Sequence, residues 1–381
     1  MSMPAYHQMG HDSWNLLAEP RLSAYAGVVL SPVNDTEERM CKQLATLAHE
    51  NLEIVFDPQL YYPRSDRGKL PDWAYYPSDV DTADQSSLNW WAGNLSALGE
   101  SVGNVGANSV CSPAGVPRSF SDSYYSLNCE ICEATADRLA PQGLSVLQTV
   151  LVNLRELAVP ERPAAIASIV SRASAERVYL VVVSDIEPRR EIRDTDALKG
   201  VMRLIRYLQG TGIRVLVGFV SSDIVLWKAA QAADCATGKF FNLRRFTPSR
   251  FEPPAEGGGQ IPYWFEESLM GFLREADLLR IRNGQLLSET SQANPFAVEI
   301  LSTLDDSPGQ PWLAASWRQY MHWFADIEAR LASSEVDPRV LLRDAEAHWM
   351  RLEDNDILME EPRNDGGWLR PWRRALAEAL R

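Results

Sequence analysis

The 381-residue sequence predicts an α/β protein, a (β/α)8 TIM-type barrel carrying a C-terminal α-helical extension. Three observations lead there. Runs of apolar, β-branched residues too short for helices alternate with stretches of helical spacing, and eight such runs can be counted. Continuous apolar strands belong to a parallel sheet covered on both faces, and eight of them favour a closed barrel over a doubly wound sheet. No GxGxxG follows the first strand and no GxxxxGK precedes Ser or Thr anywhere, so the phosphate-cradling loops of dinucleotide and nucleoside triphosphate folds are missing. Gly257, Gly258 and Gly259 read as a flexible loop.

Taken in order, residues 1–23 have no period and read as an N-terminal arm. Residues 26–30 make the first strand, ending in Ser31, Pro32, Val33 and Asn34, and Asp35 caps a helix to about residue 50. The second strand, 53–56, delivers Asp57, Pro58 and Gln59, followed by Tyr61 and Tyr62. Residues 63–84 are polar and aromatic without period, a length typical of lids and binding loops. A helix over 86–98, a weaker strand over 107–111 and a helix over 121–139 follow. The pattern then turns regular: strand 145–152 ending at Asn153, helix 162–173, strand 178–183 ending in Ser184 and Asp185, and helix 197–208 closed by Gly210 and Gly212.

Residues 214–246 are the most informative stretch. They read as a strand to Val220, an N-cap from Ser221, Ser222 and Asp223, a helix over 224–233, a strand over 234–237, and a basic, aromatic loop. Residues 263–275 read as an amphipathic helix, 278–281 as the eighth strand and 295–304 as a helix, so the barrel is expected over 24–306. Helices at 312–331 and 340–352 and a last one near the end, rich in Trp, His and charge, form the extension over 307–381. It reads either as a cap on one face of the barrel or as a partner surface on which Trp368, Trp372, Arg370, Arg373 and Arg374 stack on bases and contact phosphates.

Lys and Arg total 37 against 51 Asp and Glu, a formal charge of -14, which argues against an all-over nucleic-acid-binding surface but leaves room for a local basic groove. No apolar run approaches a membrane span and the first 20 residues lack a secretory pattern, so a cytoplasmic protein is expected. Five scattered Cys residues suggest reduced thiols. Cys129 and Cys132 form a lone CxxC within a predicted helix, with no second ligand pair and no matching His spacing, and read as buried apolar thiols. No metal and no cofactor is expected.

Polar residues at the carboxyl ends of barrel strands assemble the site whatever the reaction, and here they include Asn34, Asp57, Gln59, Asn153, Asp185, Asp223, Lys239 and Asn242. Asp57 and Asp185 each end an apolar strand, and two carboxylates facing one cavity can divide acid-base and nucleophilic roles. Each has an ordinary alternative as a turn or cap residue, above all Asp223 at a helix start. Gln59, Tyr61, Asn153, Asp223, Lys239 and Asn242 are the expected substrate-binding set. Arg244, Arg245 and Arg250, interleaved with Phe240, Phe241, Phe246 and Phe251, suggest phosphate contacts with base stacking, or a loop whose Phe rings pack on the barrel. Glu187, Arg189, Arg190 and Arg193 form a second charged loop on the same rim.

The order of segments resembles the tRNA-guanine transglycosylase superfamily: a first strand ending in Ser31-Pro32-Val33, an early strand ending in Asp57 and a late Ala233-Asp234-Cys235 strand. The resemblance covers about residues 24–305. It implies a barrel that detaches a base from a nucleic acid, with Asp57 as the base-side acid-base group and Asp234 among the catalytic candidates. Thr237 stands at the position of the family's nucleophile, and the family's zinc-binding insertion is absent. What the resemblance then implies is a glycosylase cleaving the N-glycosidic bond of a modified base, in DNA more than in tRNA, as in antiphage relatives. The competing expectations are a small-molecule hydrolase or lyase, favoured by the acidic composition, and a non-catalytic scaffold in a defence complex.

Overall fold

The apolar runs pair edge to edge as parallel strands. The computed structural model describes residues 5–22, 24–47, 52–63, 67–80, 84–251, 260–306, 309–361 and 364–381. Its closed barrel consists of β1 (Ala5–Gln8), β2 (Gly27–Leu30), β3 (Glu53–Phe56), β4 (Ser109–Cys111), β5 (Ser145–Asn153), β6 (Arg177–Val183), β7 (Arg214–Gly218) and β8 (Asp234–Thr237), in that order. The barrel closes where Ala5, Tyr6 and His7 pair with Cys235, Ala236 and Thr237.

Closure corrects two expectations. The first strand lies inside the stretch read as an arm: AYHQ is short and half polar, and only its pairing with both β2 and β8 makes it a strand. Residues 278–281 are instead helical, within α9 (Glu275–Asn283), where Leu278 and Ile281 bury one face at helical spacing. The barrel therefore starts at residue 5 and its last strand ends at Thr237. Residues 263–275 are likewise not a helix. They hold an antiparallel pair, β9 (Trp264–Glu266) and β10 (Gly271–Leu273), turned at Met270 in a left-handed conformation. Glu266 pins this turn by accepting from Ser268 and Ser288. The Gly257 to Gly259 loop lies outside the described residues, as do residues 48–50 and parts of the 63–84 loop.

Between the strands run α1 (Trp14–Leu17), α2 (Glu37–Thr46), α3 (Leu88–Ala92), α4 (Leu95–Val105), α5 (Asp122–Leu139), α6 (Arg162–Val170), α7 (Thr195–Gly210) and α8 (Ile224–Ala229). The helix expected over 86–98 breaks at Gly93 and Asn94 into α3 and α4. Thr36, not Asp35, caps α2 by accepting from Arg39 N, while Asp35 is buried and accepts from the Trp14 indole at 2.9 Å. Cys129 and Cys132 are free and buried on α5.

After β9 and β10 come α9, α10 (Glu289–Gln292), α11 (Ala297–Asp306), α12 (Leu313–Ala332), α13 (Pro338–Asp354) and α14 (Leu369–Ala379). Of these, α12 and α14 pack on the barrel, and α13 packs on α14 and on the turn between β9 and β10. Helix α12 packs on α8, β1 and β8, occupying the place that a helix following β8 would take. It is tied there by Tyr25 Oη donating to Met321 O at 2.7 Å and by Cys235 N donating to the buried Glu328 carboxylate at 2.9 Å. Helix α14 packs along α7, burying Trp372, whose indole donates to Ile192 O. Trp368 is buried edge-on against Trp349. Neither Trp is available to stack on a base.

Side chains alternate along each strand, so β3 sends Ile54 and Phe56 outward under the helices and Glu53, Val55 and Asp57 inward. At the amino-terminal mouth Glu53 receives both arms of Arg177, Tyr6 Oη and Ser109 Oγ, which together outweigh its desolvation and hold its pKa below the usual value. Midway, Tyr179 Oη donates to Gln8 Oε1 at 2.8 Å and leans over Gly218, where a Cβ would lie 2.5 Å from that hydroxyl. Asp57 ends the same face of β3 at the carboxyl mouth.

Candidate functional site at the carboxyl mouth of the barrel

Chain segments leaving β1, β2, β6 and β8 converge on a cleft of about 550 Å³. Gly238, directly after β8, lets the loop fold back: a Cβ there would meet Leu243 at 2.5 Å and Gln8 O at 2.6 Å. Among the described residues five cations line the cleft, Arg67, Arg189, Lys239, Arg244 and Arg250, against one carboxylate, Glu187. Phe240, Phe241, Tyr263, Phe272, Trp317 and Tyr320 supply the aromatic surface. On a chain of charge -14 this is a local reversal of sign.

Each buried cation is held by named neighbours. Lys239 Nζ donates to Asp12 O at 3.0 Å and sits over the Trp317 ring at 4.3 Å, and burial pushes its pKa down to about 8. Arg244 lies flat on Tyr320, 3.5 Å from the ring centre, and donates to Gly238 O and Lys239 O, so it fixes the loop that carries Lys239. Arg250 donates to Asn242 O at 3.0 Å; burial and the neighbouring Arg67 push its pKa down to about 10, while Asp57 opposes the shift. Glu187 is half exposed and paired with Arg189 at 2.9 Å and Arg190 at 3.0 Å. Burial raises its pKa, and the two arginines more than offset that, leaving it below the ordinary value.

Asp57 lies behind this surface. It is 1 % exposed, accepts from Tyr61 Oη at 2.8 Å and Gln59 N at 3.0 Å, and is pushed up to about 6 by burial, against the pull of those bonds and of Arg250. The ring of Tyr61 is wedged edge-on against Phe246 and Phe251, and neither it nor Asp57 lines the cleft. Gln59 adopts φ +54°, a left-handed conformation rare outside glycine, and its side-chain Oε1 accepts from Ser31 Oγ and Val33 N, locking the loops after β2 and β3 together. Gln59 and Tyr61 are thus the framework of Asp57 and do not line this cleft.

The other expected site residues divide sharply. Lys239, Arg189, Arg244, Arg250 and Asn242 reach the cleft. Asp185 does not: it is exposed and pairs with Arg155 at 3.2 Å, and Asn153 closes the same turn by accepting from Arg155 N. Asp234 is at the wrong end, because it opens β8 and therefore faces the amino-terminal mouth, beside Arg214. Asp223 stands at the start of α8 without capping it; its carboxylate accepts from Ser221 N and faces Arg245 at 3.7 Å. Arg245 is buried between Asp223 and Glu191, the latter at 3.1 Å and also receiving Ser222 Oγ, so it closes an internal ion cluster and does not line the cleft. Arg190 is spent on Glu187.

Sequence reasoning missed Arg67, which lies in the aperiodic loop, and Trp317 and Tyr320, which lie on α12 eighty residues beyond β8 by sequence order and reach the mouth only through packing. Among the described residues no group of three His, Cys, Asp or Glu side chains is arranged to hold a metal, and no helix is long and apolar enough to cross a membrane.

No family profile and no curated protein matches the sequence. Among solved structures, the chain is similar to a glycosyl hydrolase of family GH3 from Mycobacterium smegmatis, with 12 % identity, a TM-score of 0.39, and coverage of 84 % of this chain and 95 % of that one. It is similar to a beta-N-acetylhexosaminidase from Beutenbergia cavernae with 13 % identity, a TM-score of 0.37, and coverage of 85 % and 96 %. Likeness at this level transfers neither residues nor a reaction. The barrel rests on its own strand pairing.

Proposed function

We propose that the protein is a hydrolase of glycosidic bonds whose substrate carries an anion beside a planar ring, the N-glycosidic bond of a nucleotide unit being the linkage that fits. The observation that carries this reading is the cleft in which Arg67, Lys239 and Arg250 face aromatic side chains on an otherwise acidic protein. Cations hold phosphate, rings stack on a base, and about 550 Å³ is the size of an ordinary small-molecule site. In this reading Glu187, kept ionised by its arginines, stabilises the oxocarbenium ion and takes a proton from the attacking water. Lys239, with its pKa near 8, gives a proton to the ring nitrogen as the bond from sugar carbon to nitrogen breaks. Asp57 acts from behind through the charge of Arg250 and does not touch the substrate.

The test is release of free base from nucleoside monophosphates and from DNA with modified bases, followed by chromatography. Glu187→Gln is expected to keep nucleotide binding and lower turnover by at least ~100-fold, the low end for one acid-base or charge-stabilising group. Absence of both base release and nucleotide binding in the wild-type protein ends this reading.

One observation favours a second reading, a binding barrel without turnover. Glycoside hydrolysis ordinarily uses two carboxylates facing the scissile bond, and among the described residues only Glu187 faces the cleft. Tight nucleotide binding with no base released from any substrate selects it.

A further inference from the structure

Helices α13 and α14 lie side by side and leave a groove of about 530 Å³ between them, which shares no lining residue with the cleft. Arg339 and Arg343 wall it from α13, and Arg370, Arg373 and Arg374 from α14. The positions 370, 373, 374 and 377 share one helix face, while Leu369, Trp372, Leu376 and Ala379 bury the other against the barrel wall. Three of the arginines have carboxylate neighbours at the surface: Arg343 with Asp344 at 2.8 Å, Arg373 with Glu346, and Arg374 with Glu378 at 2.8 Å. Arg339 and Arg370 have no ion pair among the described residues. Exposed pairs of this kind contribute about 0–1 kcal/mol and exchange readily for a stronger anion. Five guanidinium groups around one concavity repel one another while it is empty, and a row of anions removes that cost.

We infer that this groove binds the phosphate backbone of double-stranded nucleic acid. It offers charge without a stacking platform: Val340, Leu376 and Ala377 are its apolar lining, and Trp349, Trp368 and Trp372 are buried beneath. Single strands are held largely by base stacking, whereas a duplex keeps its base faces stacked inside and lines its outside with phosphates. Protein partners need an apolar or aromatic anchor at the centre of the contact, and the groove has none of that size. The acidic remainder of the chain does not prevent binding, since at 0.1 M salt charges beyond about 10 Å are screened. The inference is independent of the cleft, and it assigns a surface that the proposed reaction does not require.

The test is fluorescence anisotropy with a labelled 20-base-pair duplex between 50 and 200 mM NaCl. With about 0.9 counterions released per phosphate contact, five arginines give a slope of log K against log salt near about -4.5, with micromolar affinity at moderate salt. The triple variant Arg343→Ala, Arg370→Ala, Arg373→Ala is expected to bring the slope to about -2 and to weaken binding at least tenfold. The same three positions changed to Lys keep the charge and are expected to bind within about threefold of wild type, which separates loss of charge from loss of fold. Three results overturn the inference: no duplex binding at 50 mM salt, a triple Ala variant that binds like wild type, or a polyglutamate peptide of matched charge binding more tightly than the duplex. Release of free base from nucleoside monophosphates reads the cleft reaction and is expected to be the same in all three proteins, so failure here and failure of the proposed reaction are told apart.

Discussion

Replacing Asp57 by Asn should make the protein gain stability relative to wild type as pH rises from acid to neutral. The carboxyl ordinarily titrates at 3.8 and is pushed up to about 6 by burial at the end of β3. Because the folded state holds the proton more tightly than the unfolded chain, stability from this group is complete below pH 3.8 and is lost as pH rises through about 6. At about 1.4 kcal/mol per tenfold change in proton affinity, ionising it in place costs up to about 3 kcal/mol at pH 8. Asn cannot ionise and escapes that cost. It keeps one oxygen to accept from Tyr61 or Gln59 N, and its amide adds a donor facing the Tyr61 hydroxyl, a penalty of about 1–3 kcal/mol that does not vary with pH. The informative quantity is therefore the change with pH in the stability difference between Asp57→Asn and wild type, measured by urea titration at unit steps from pH 4 to 8. Taking the difference cancels the other buried carboxyls, including Glu191 near 7 and Glu328 near 8. The variant should gain about 2–3 kcal/mol on wild type between pH 4 and 8. A difference that stays flat across this range, or that moves against the variant as pH rises, refutes the account of Asp57 as a carboxyl held in a dry site.

Three other outcomes follow from the same geometry. Sulfate, whose charge is constant from pH 7 to 9, should bind the cleft about tenfold more weakly at pH 9, because Lys239 loses its proton near 8; Lys239→Arg should remove that dependence, as read by calorimetry. Gly238→Ala should destabilise by about 1–3 kcal/mol, and adding Leu243→Ala should restore only part of it because the Gln8 carbonyl remains in the way; thermal unfolding of the single and double variants decides this. Arg245→Met strands Glu191 and Asp223 together inside the protein and should cost about 3–5 kcal/mol at pH 8, less at pH 5 where Glu191 is protonated; equal losses at both pH values would count against the buried cluster.

The strands from β2 to β8 and the loop 238–251 were legible because each is a local signal: an apolar run of strand length, a polar residue at its end, a helix behind it. That pattern alone determined a parallel barrel and placed Lys239, Arg244 and Arg250 near its mouth. It could not find β1, whose residues Ala5, Tyr6, His7 and Gln8 have no strand signature until β2 and β8 lie on either side, nor reject 278–281, where four apolar and charged residues satisfy either period. The strand bounds it gave already put Asp57 after β3 and Asp234 at the start of β8, so the two lie at opposite mouths; Asp234 was a catalytic candidate through the resemblance alone. Exposure was beyond it too: Arg245 read as a phosphate ligand and is buried between two acids, while Arg370 and Arg373 became an outward row once Trp372 was drawn inward on the same helix. Periodicity reports which side chains share a face. Which face meets water, which anion a cation meets, and that Trp317 on a distant helix completes the cleft are set by long-range packing alone.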